Sequence, residues 1–331
     1  MSNACITGVG FFVPPRIVTN DELSKHMDTT DQWIQERTGI QERRFVEKGV
    51  GPSDLAIPAT EQALEYAGLS VEDIDFIIFA TSMSDYHIPG SGCLLQEKMG
   101  FNDIGALDIR VQCSGFVYGL SIAEQYIKTG AFNNILLVGA EAQTTAMELN
   151  DNGRDVSVIF GDGAGAVIIS GTDEKKGILS THMHSEGKYL KELWMEAPAS
   201  NAGMPQMSPQ DLKEGKQFLK MNGKEVFRHA IVRFNEVINE CLSANGLQIS
   251  DIDMLIPHQA NLRITQMVQK KMGLNDDQVF SNIHKYGNTT AASIPIALTE
   301  AVNEGRIKKG DRVVLASFGS GFTWASAIME W

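Results

Sequence analysis

The chain has 331 residues and a mass of 36.2 kDa, enough for two domains or one large duplicated one. Hydrophobic residues at 43% against 21% charged exclude global disorder, and a net charge of −13 argues against a generic nucleic-acid binder, which needs a basic footprint. No apolar run of about 18 residues marks a membrane span. No basic-then-apolar leader is visible, and four cysteines without a CxxC pair make neither a disulfide framework nor a zinc site, so the expected compartment is the reducing cytoplasm.

In chain order, Ser53 is placed to cap an amphipathic helix over Asp54 to Ala67, closed by Gly68. Phe76 to Phe79 reads as a buried strand and Ser91 to Met99 as a helix ended by Gly100. Leu107 to Val111 reads as a strand, Ser114 to Lys128 as a helix ended by Gly130, and Ile135 to Val138 as a strand. Glu186 to Gly215 breaks the periodicity and reads as a loop or lid. Helices over Val226 to Leu242, Leu262 to Met272 and Thr289 to Val302 then alternate with strands at Met254 to Ile256, Arg312 to Ala316 and Thr323 to Met329.

The two halves echo each other. Gly68-Leu69-Ser70-Val71-Glu72-Asp73-Ile74-Asp75 returns as Gly246-Leu247-Gln248-Ile249-Ser250-Asp251-Ile252-Asp253, an offset of 178. Lys98-Met99-Gly100 returns as Lys271-Met272-Gly273 at offset 173, and Gly130-Ala131-Phe132 as Gly305-Arg306-Ile307 at offset 175. Three echoes in one order point to a duplicated α/β unit of roughly 170 residues, divided as 1–173 and 174–331.

Offset 175 sets Cys113 opposite Asn288. Cys113 lies between a strand and a helix, where the positive helix end lowers a thiol pKa and favours a nucleophilic thiolate; the plainer reading is a small buried hydrophobe, and Cys5, Cys93 and Cys241 take that one. His258 follows a buried strand, well placed for a ligand site, with a hydrogen-bonded structural histidine as the alternative. His182 and His184 share a strand face but lack a third metal ligand nearby. Phe160-Gly161-Asp162-Gly163-Ala164-Gly165-Ala166 precedes a strand, Val167 to Ile169, rather than a helix, so it reads as a tight turn and not a phosphate loop. Phe318-Gly319-Ser320-Gly321-Phe322 reads as a turn between the last two strands, with backbone N–H groups left exposed.

These motifs, with Thr38-Gly39-Ile40, Glu42-Arg43-Arg44, Cys113-Ser114-Gly115-Phe116, Pro257-His258-Gln259-Ala260-Asn261-Leu262-Arg263, Gly287-Asn288-Thr289-Thr290-Ala291-Ala292-Ser293 and Gly321-Phe322-Thr323-Trp324, stand in an order that resembles β-ketoacyl-acyl carrier protein synthase III, a condensing enzyme of the thiolase-like superfamily. The resemblance spans nearly the whole chain. It implies a duplicated five-layered αβαβα fold with pseudo-twofold related halves, and a homodimer.

The resemblance also implies a Cys-His-Asn site at Cys113, His258 and Asn288, with the N–H groups of Cys113 and Ser320 as oxyanion donors. A short acyl-CoA would acylate Cys113, and malonyl-acyl carrier protein would then condense with it, with no metal or redox cofactor. Trp33 and Arg154 would sandwich the CoA adenine, Arg37 would meet phosphate and Asn261 the pantetheine arm. Ile88, Phe160 and Phe318 would shape the acyl pocket, with Ile88 placed to reach across the dimer. Arg228, Arg263, Lys270 and Lys271 would dock the carrier protein. Ser320 stands where the family carries glycine, so its donor survives only if φ stays negative there; Arg110, Gln112 and Ser91-Gly92-Cys93 also depart from the family pattern.

Three other activities compete: an acyltransferase or condensing enzyme of specialised metabolism, a non-catalytic acyl-binding subunit, and a thiol protease. Because CoA and carrier protein are both anionic, the acidic total opposes them at long range. The condensing reading therefore expects Arg37, Arg154, Arg228, Arg263, Lys270 and Lys271 around one tunnel mouth.

Overall fold

The computed structural model describes residues 3–174 and 176–331. One sheet holds β1 (Asn3–Phe12), β2 (Phe76–Ala80), β3 (Gly105–Ile109), β4 (Asn134–Glu141) and β5 (Gly163–Thr172) in the order β1-β5-β4-β2-β3. The second holds β6 (Gly177–Ser185), β7 (Met254–Pro257), β8 (Arg312–Gly319) and β9 (Thr323–Glu330) in the order β6-β9-β8-β7. Pair directions match: the first two pairs are antiparallel and the third parallel in both sheets. A parallel bridge from Leu255 to Val279 stands where β3 stands in the first sheet.

The principal helices are α1 (Asp31–Thr38), α2 (Pro52–Ala67), α3 (Ser91–Met99), α4 (Gly115–Lys128), α5 (Gly223–Ala244), α6 (Leu262–Met272) and α7 (Ser293–Asn303). The period-2 alternation of the strands decides the layers. Ile135 and Leu137 face inward and pack with Phe116 and Leu120 of α4, Ile294 and Leu298 of α7, and Val313 and Leu315 of β8. Leu136 and Val138 face outward, against Leu55, Ala59 and Ala63 of α2. Val314 and Ala316 face outward on the other side, against Phe234 and Ile238 of α5 and Ile264 of α6. The stack is thus α2/α3, sheet, α4/α7, sheet, α5/α6: the five-layered duplicated fold.

Several boundaries differ from the sequence reading. Helix α2 begins at Pro52 with Gly51 as its cap; Ser53 Oγ instead donates to Asp85 at 2.7 Å. The strand expected at Leu107 to Val111 is Gly105–Ile109. Strand β5 takes in Gly163 to Ala166, so the glycine-rich turn shrinks to Phe160 to Asp162. The region Glu186 to Gly215 contains structure, including Leu193–Trp194, which pairs with Lys220–Met221. Cys93 is exposed rather than a buried hydrophobe.

The repeat also aligns differently at the centre. A 3-10 turn over Gln112–Ser114 leads into α4, and one over Thr290–Ala292 leads into α7. Gln112 and Thr290 open these turns with φ of 44° and 47°. That left-handed conformation costs a non-glycine residue about 1–3 kcal/mol. The matching offset is 178, which sets Cys113 opposite Ala291 rather than Asn288.

Candidate active site

Cys113 sits in the turn before α4, 6% exposed. The end of β8 presses on it: a Cβ added to Gly319 would lie 2.5 Å from Cys113 Cβ and 3.0 Å from Sγ. Burial, then the nearby Glu141 carboxylate, push the thiol up to about 12, and the N–H groups of Cys113 and Ser320, aimed at the sulfur, offset only part of that rise. This corrects the expectation of a lowered thiol pKa: in the free protein the helix end is outweighed by desolvation. Gln112 and Thr290 are the non-glycine residues with positive φ among the described residues, so Ser320 keeps the negative φ that the expected donor role would require. Its hydroxyl ties the turn to Leu193 O.

His258 follows β7 and extends its ladder, its N–H donating to Ala316 O at 2.8 Å. The imidazole is 2% exposed, and burial depresses its pKa to about 3, so the ring is neutral. Nδ1 meets Ser293 Oγ at 2.5 Å, while Nε2 is buried without a partner among the described residues. Asn288 is pinned by backbone: its N–H donates to Ile159 O at 2.9 Å and its carbonyl accepts from Gly161 N at 3.0 Å. Its Oδ1 accepts from Thr290 N at 2.8 Å, which leaves the Nδ2 hydrogens for the cavity.

One cavity of about 480 Å³ is lined by Cys113, His258 and Asn288 together with Trp33, Arg37, Asn261, Arg263, Phe160 and Phe318. Arg154 does not line it but reaches its edge, with Cζ 5.1 Å from the Trp33 ring centroid; Arg37 Cζ lies 4.5 Å from the same ring. Asn261 caps α6 through Arg263 N and donates to Arg37 O at 2.9 Å, leaving one amide hydrogen free.

Other residues fall elsewhere. Ile88 is 89% exposed and does not line the cavity of its own chain. Arg228 is exposed and paired with Glu225 at 2.5 Å. Lys270 and Lys271 stand in the last turn of α6, away from the cavity lining. The six basic residues are therefore not gathered around one mouth: the cavity is lined by Arg37 and Arg263, Arg154 is at its edge, and the other three are set along α5 and α6. His182 and His184 both turn to Glu240.

Three participants escaped the sequence reading. Lys224, on the first turn of α5, lines the cavity. Ser293 orients His258. Glu141, fully buried at the end of β4, accepts from Ser82 N and Oγ and from Met83 N. A glutamate ending the apolar run from Ile135 is the signal that could have flagged it.

Residues 107–187 match the family described as 3-oxoacyl-[acyl-carrier-protein] synthase III, and residues 242–331 match its C-terminal part. The β-ketoacyl-[acyl-carrier-protein] synthase III of Caldanaerobacter subterraneus is 44% identical over 328 residues, covering 99% of this chain and 98% of that protein. The one from Clostridioides difficile is 44% identical over 330 residues, covering 100% and 99%. The crystal structure of the Thermus thermophilus synthase III superposes with a TM-score of 0.91 at 38% identity, covering 99% of each chain. The priming β-ketosynthase of the R1128 polyketide pathway superposes at 0.90 with 31% identity, covering 99% of this chain and 96% of that one. The chain belongs to the β-ketoacyl-[acyl-carrier-protein] synthase III family.

Proposed function

We propose that the chain condenses a short acyl-CoA primer with malonyl-acyl carrier protein, releasing carbon dioxide and yielding a 3-ketoacyl-acyl carrier protein that starts fatty acid synthesis. The observation that carries this reading is the opening of a buried thiol, an unpartnered imidazole Nε2 and an anchored amide onto one cavity. Residues 1–173 supply the nucleophile, and residues 174–331 the histidine and asparagine.

In the first half-reaction the Cys113 sulfur attacks the thioester carbonyl, its proton departs, and CoA leaves as the thiol. The tetrahedral oxyanion is held by the N–H groups of Cys113 and Ser320. Because the resting thiol is neutral, charge on sulfur develops only as attack proceeds, where the end of α4 favours it. In the second half-reaction malonyl thioester loses carbon dioxide. Donation by His258 to the enolate needs the imidazole proton on Nε2, the tautomer in which Nδ1 accepts from the Ser293 hydroxyl while that hydroxyl accepts the Gln259 N–H at 3.3 Å. Nε2–H and the Asn288 amide then donate to the enolate oxygen, and loss of one such donor costs about 3–4 kcal/mol. The carbanion attacks the acyl-Cys113 carbonyl and expels the thiolate, which takes up a proton from solvent to restore the thiol. No step calls for a metal or redox cofactor.

Substrate binding follows from charge. Arg37, Lys224 and Arg263 line the cavity and have no carboxylate within ion-pair distance among the described residues. They meet the anionic phosphates against the acidic total, with Trp33 and Arg154 taking the adenine and Asn261 the pantetheine. Phe160 and Phe318 bound the acyl group. Arg263, Met267, Lys270 and Lys271 are exposed on one side of α6, at i, i+4, i+7 and i+8, and form the docking face for the carrier protein with Arg228 nearby on α5. The exposed Tyr86 and Ile88 fit a homodimer contact, through which Ile88 reaches the partner's acyl pocket. No helix among the described residues is long and apolar enough to cross a membrane, and the four cysteines are free, which suits the cytoplasm.

Incubation with a panel of acyl-CoAs should give an intact-mass adduct that Cys113→Ala abolishes, and added malonyl-acyl carrier protein should convert it to ketoacyl product. Absence of product across all primers would sink the assignment. The likeness to a polyketide priming enzyme supports a second reading, condensation in specialised metabolism. Acylation of Cys113 without turnover of malonyl-acyl carrier protein would favour it.

A further inference from the structure

Arg43, at the centre of the short strand Glu42–Arg44, is fully buried, and no carboxylate lies within 4 Å of it among the described residues. Burial lowers its pKa to about 10, still charged at neutral pH. Among the described residues its guanidinium hydrogen-bonds only backbone carbonyls: Nη1 donates to Val18 O at 3.2 Å and Nη2 to Val158 O at 2.9 Å, while Nε has no partner. A cation buried in this way is expensive, and an apolar side chain of like volume would fill the space at lower cost. Mere packing does not account for it.

Its neighbours do. Val158 precedes Ile159, whose carbonyl holds the Asn288 N–H, and Phe160 and Asn288 form an isolated parallel bridge. The glycines flanking that bridge both rest on Arg43: a Cβ on Gly161 would lie 3.1 Å from Arg43 Cβ, and one on Gly287 3.3 Å. The residues beside Arg43 grip the same two segments, with Asp162 N donating to Arg44 O at 2.8 Å and Gln41 N to His284 O at 3.1 Å. The arginine is therefore the floor under both strands of the bridge and the clamp on one of them.

We propose that Arg43 is a positioning residue for the condensation half-reaction, acting through the Phe160–Asn288 bridge to keep the Asn288 amide aimed into the cavity. The proposal rests on the role given to Asn288 above. Cys113 and its oxyanion donors hang from α4 and β8, while the hydrogen bonds of Arg43 go to Val18 and Val158, so acylation escapes the effect. A lysine keeps the charge but cannot reach both carbonyls with a planar fork.

The test measures the two half-reactions separately for wild type, Asn288→Ala, Arg43→Lys and Arg43→Met: acyl-Cys113 formation by intact mass, then single-turnover condensation with malonyl-acyl carrier protein. Both Arg43 variants are expected to acylate within about threefold of wild type and to condense at least about tenfold more slowly, the loss falling on kcat with KM for the carrier substrate little changed. Arg43→Lys should be the milder. Should Asn288→Ala leave condensation intact, the role of Asn288 falls and this proposal with it. If Asn288→Ala impairs condensation while the Arg43 variants leave it unchanged, or slow both half-reactions alike, only the proposal is overturned. Failure of both Arg43 variants to fold would assign the residue to stability alone and overturn it as well.

Discussion

Ser293 Oγ stands 2.5 Å from His258 Nδ1, and the same hydroxyl accepts the Gln259 N–H. One serine at the start of α7 thus holds the plane of the imidazole, and by donating to Nδ1 it would keep the ring proton on Nε2. Ser293→Ala removes both of these buried hydrogen bonds, each worth about 0.5–1.5 kcal/mol, and frees the ring. Condensation should fall about tenfold or more while acylation of Cys113 changes little, with Ser293→Thr restoring most of the loss. Equal damage to both half-reactions would show that Ser293 supports the fold rather than the ring.

Burial of His258 and Cys113 makes stability pH-dependent at both ends. The His258 pKa is about 3 in the fold against 6.5 when unfolded. Its contribution is fully present above about pH 6.5 and is lost as pH falls toward 3, because the unfolded chain binds the proton first. The Cys113 pKa is about 12 against 9.0 unfolded, so its contribution is present below pH 9 and lost as pH rises toward 12. Urea midpoints at pH 7.5 and 4.5 should drop less in His258→Asn than in wild type. Identical drops would mean the buried ring does not set the acid limb.

The duplicated architecture was legible because each half repeats its cap glycines and apolar strands, and Cys113, His258 and Asn288 stand out by residue type within their motifs. Pairing Cys113 with Asn288 by spacing was an error of register. Ten residues separate β2 from α3 while four separate β7 from α6, so the offset drifts within the repeat and returns to 178 at the helix starts. The state of the thiol was illegible for another reason: a helix end can be read from sequence, but the burial and the Glu141 charge that oppose it arise only in the assembled layers. Lys224 escaped notice likewise, sitting in an ordinary charged helix turn, and Arg43, though part of the motif Glu42-Arg43-Arg44, received no role of its own because its burial arises only in the fold.

Arg154 lies 5.1 Å from the Trp33 ring centroid, too close for an adenine between them, since a sandwiched ring needs roughly 7 Å, two contact distances of about 3.5 Å. An adenine held as proposed between Trp33 and Arg154 would therefore displace the Arg154 side chain from its present contacts with Asp155 and Asp28 O. Stacking of a base on an aromatic ring is worth about 1–3 kcal/mol. Trp33→Ala should raise KM for acyl-CoA about tenfold and leave KM for malonyl-acyl carrier protein, which carries no adenine, within about twofold. A rise in both would place Trp33 on the shared pantetheine path instead.

The steric demand on the nucleophile itself falls on Gly319, whose missing side chain lets β8 lie against Cys113. A methyl group there would sit 2.5 Å from Cys113 Cβ and 3.0 Å from Sγ, both inside van der Waals contact. Movement of the Cys113 backbone is resisted because its turn also contacts α4 and the turn before α7. Gly319→Ala should thus shift the sulfur away from the Ser320 N–H, cutting acylation about a hundredfold or more, with an overpacking cost of about 1–3 kcal/mol in stability. Because the added group lies at Cys113 and not at His258 or Asn288, decarboxylation of malonyl-acyl carrier protein uncoupled from condensation should survive. Acylation at the wild-type rate in a folded Gly319→Ala protein would show that β8 yields, and that the oxyanion donors are set by something other than this contact.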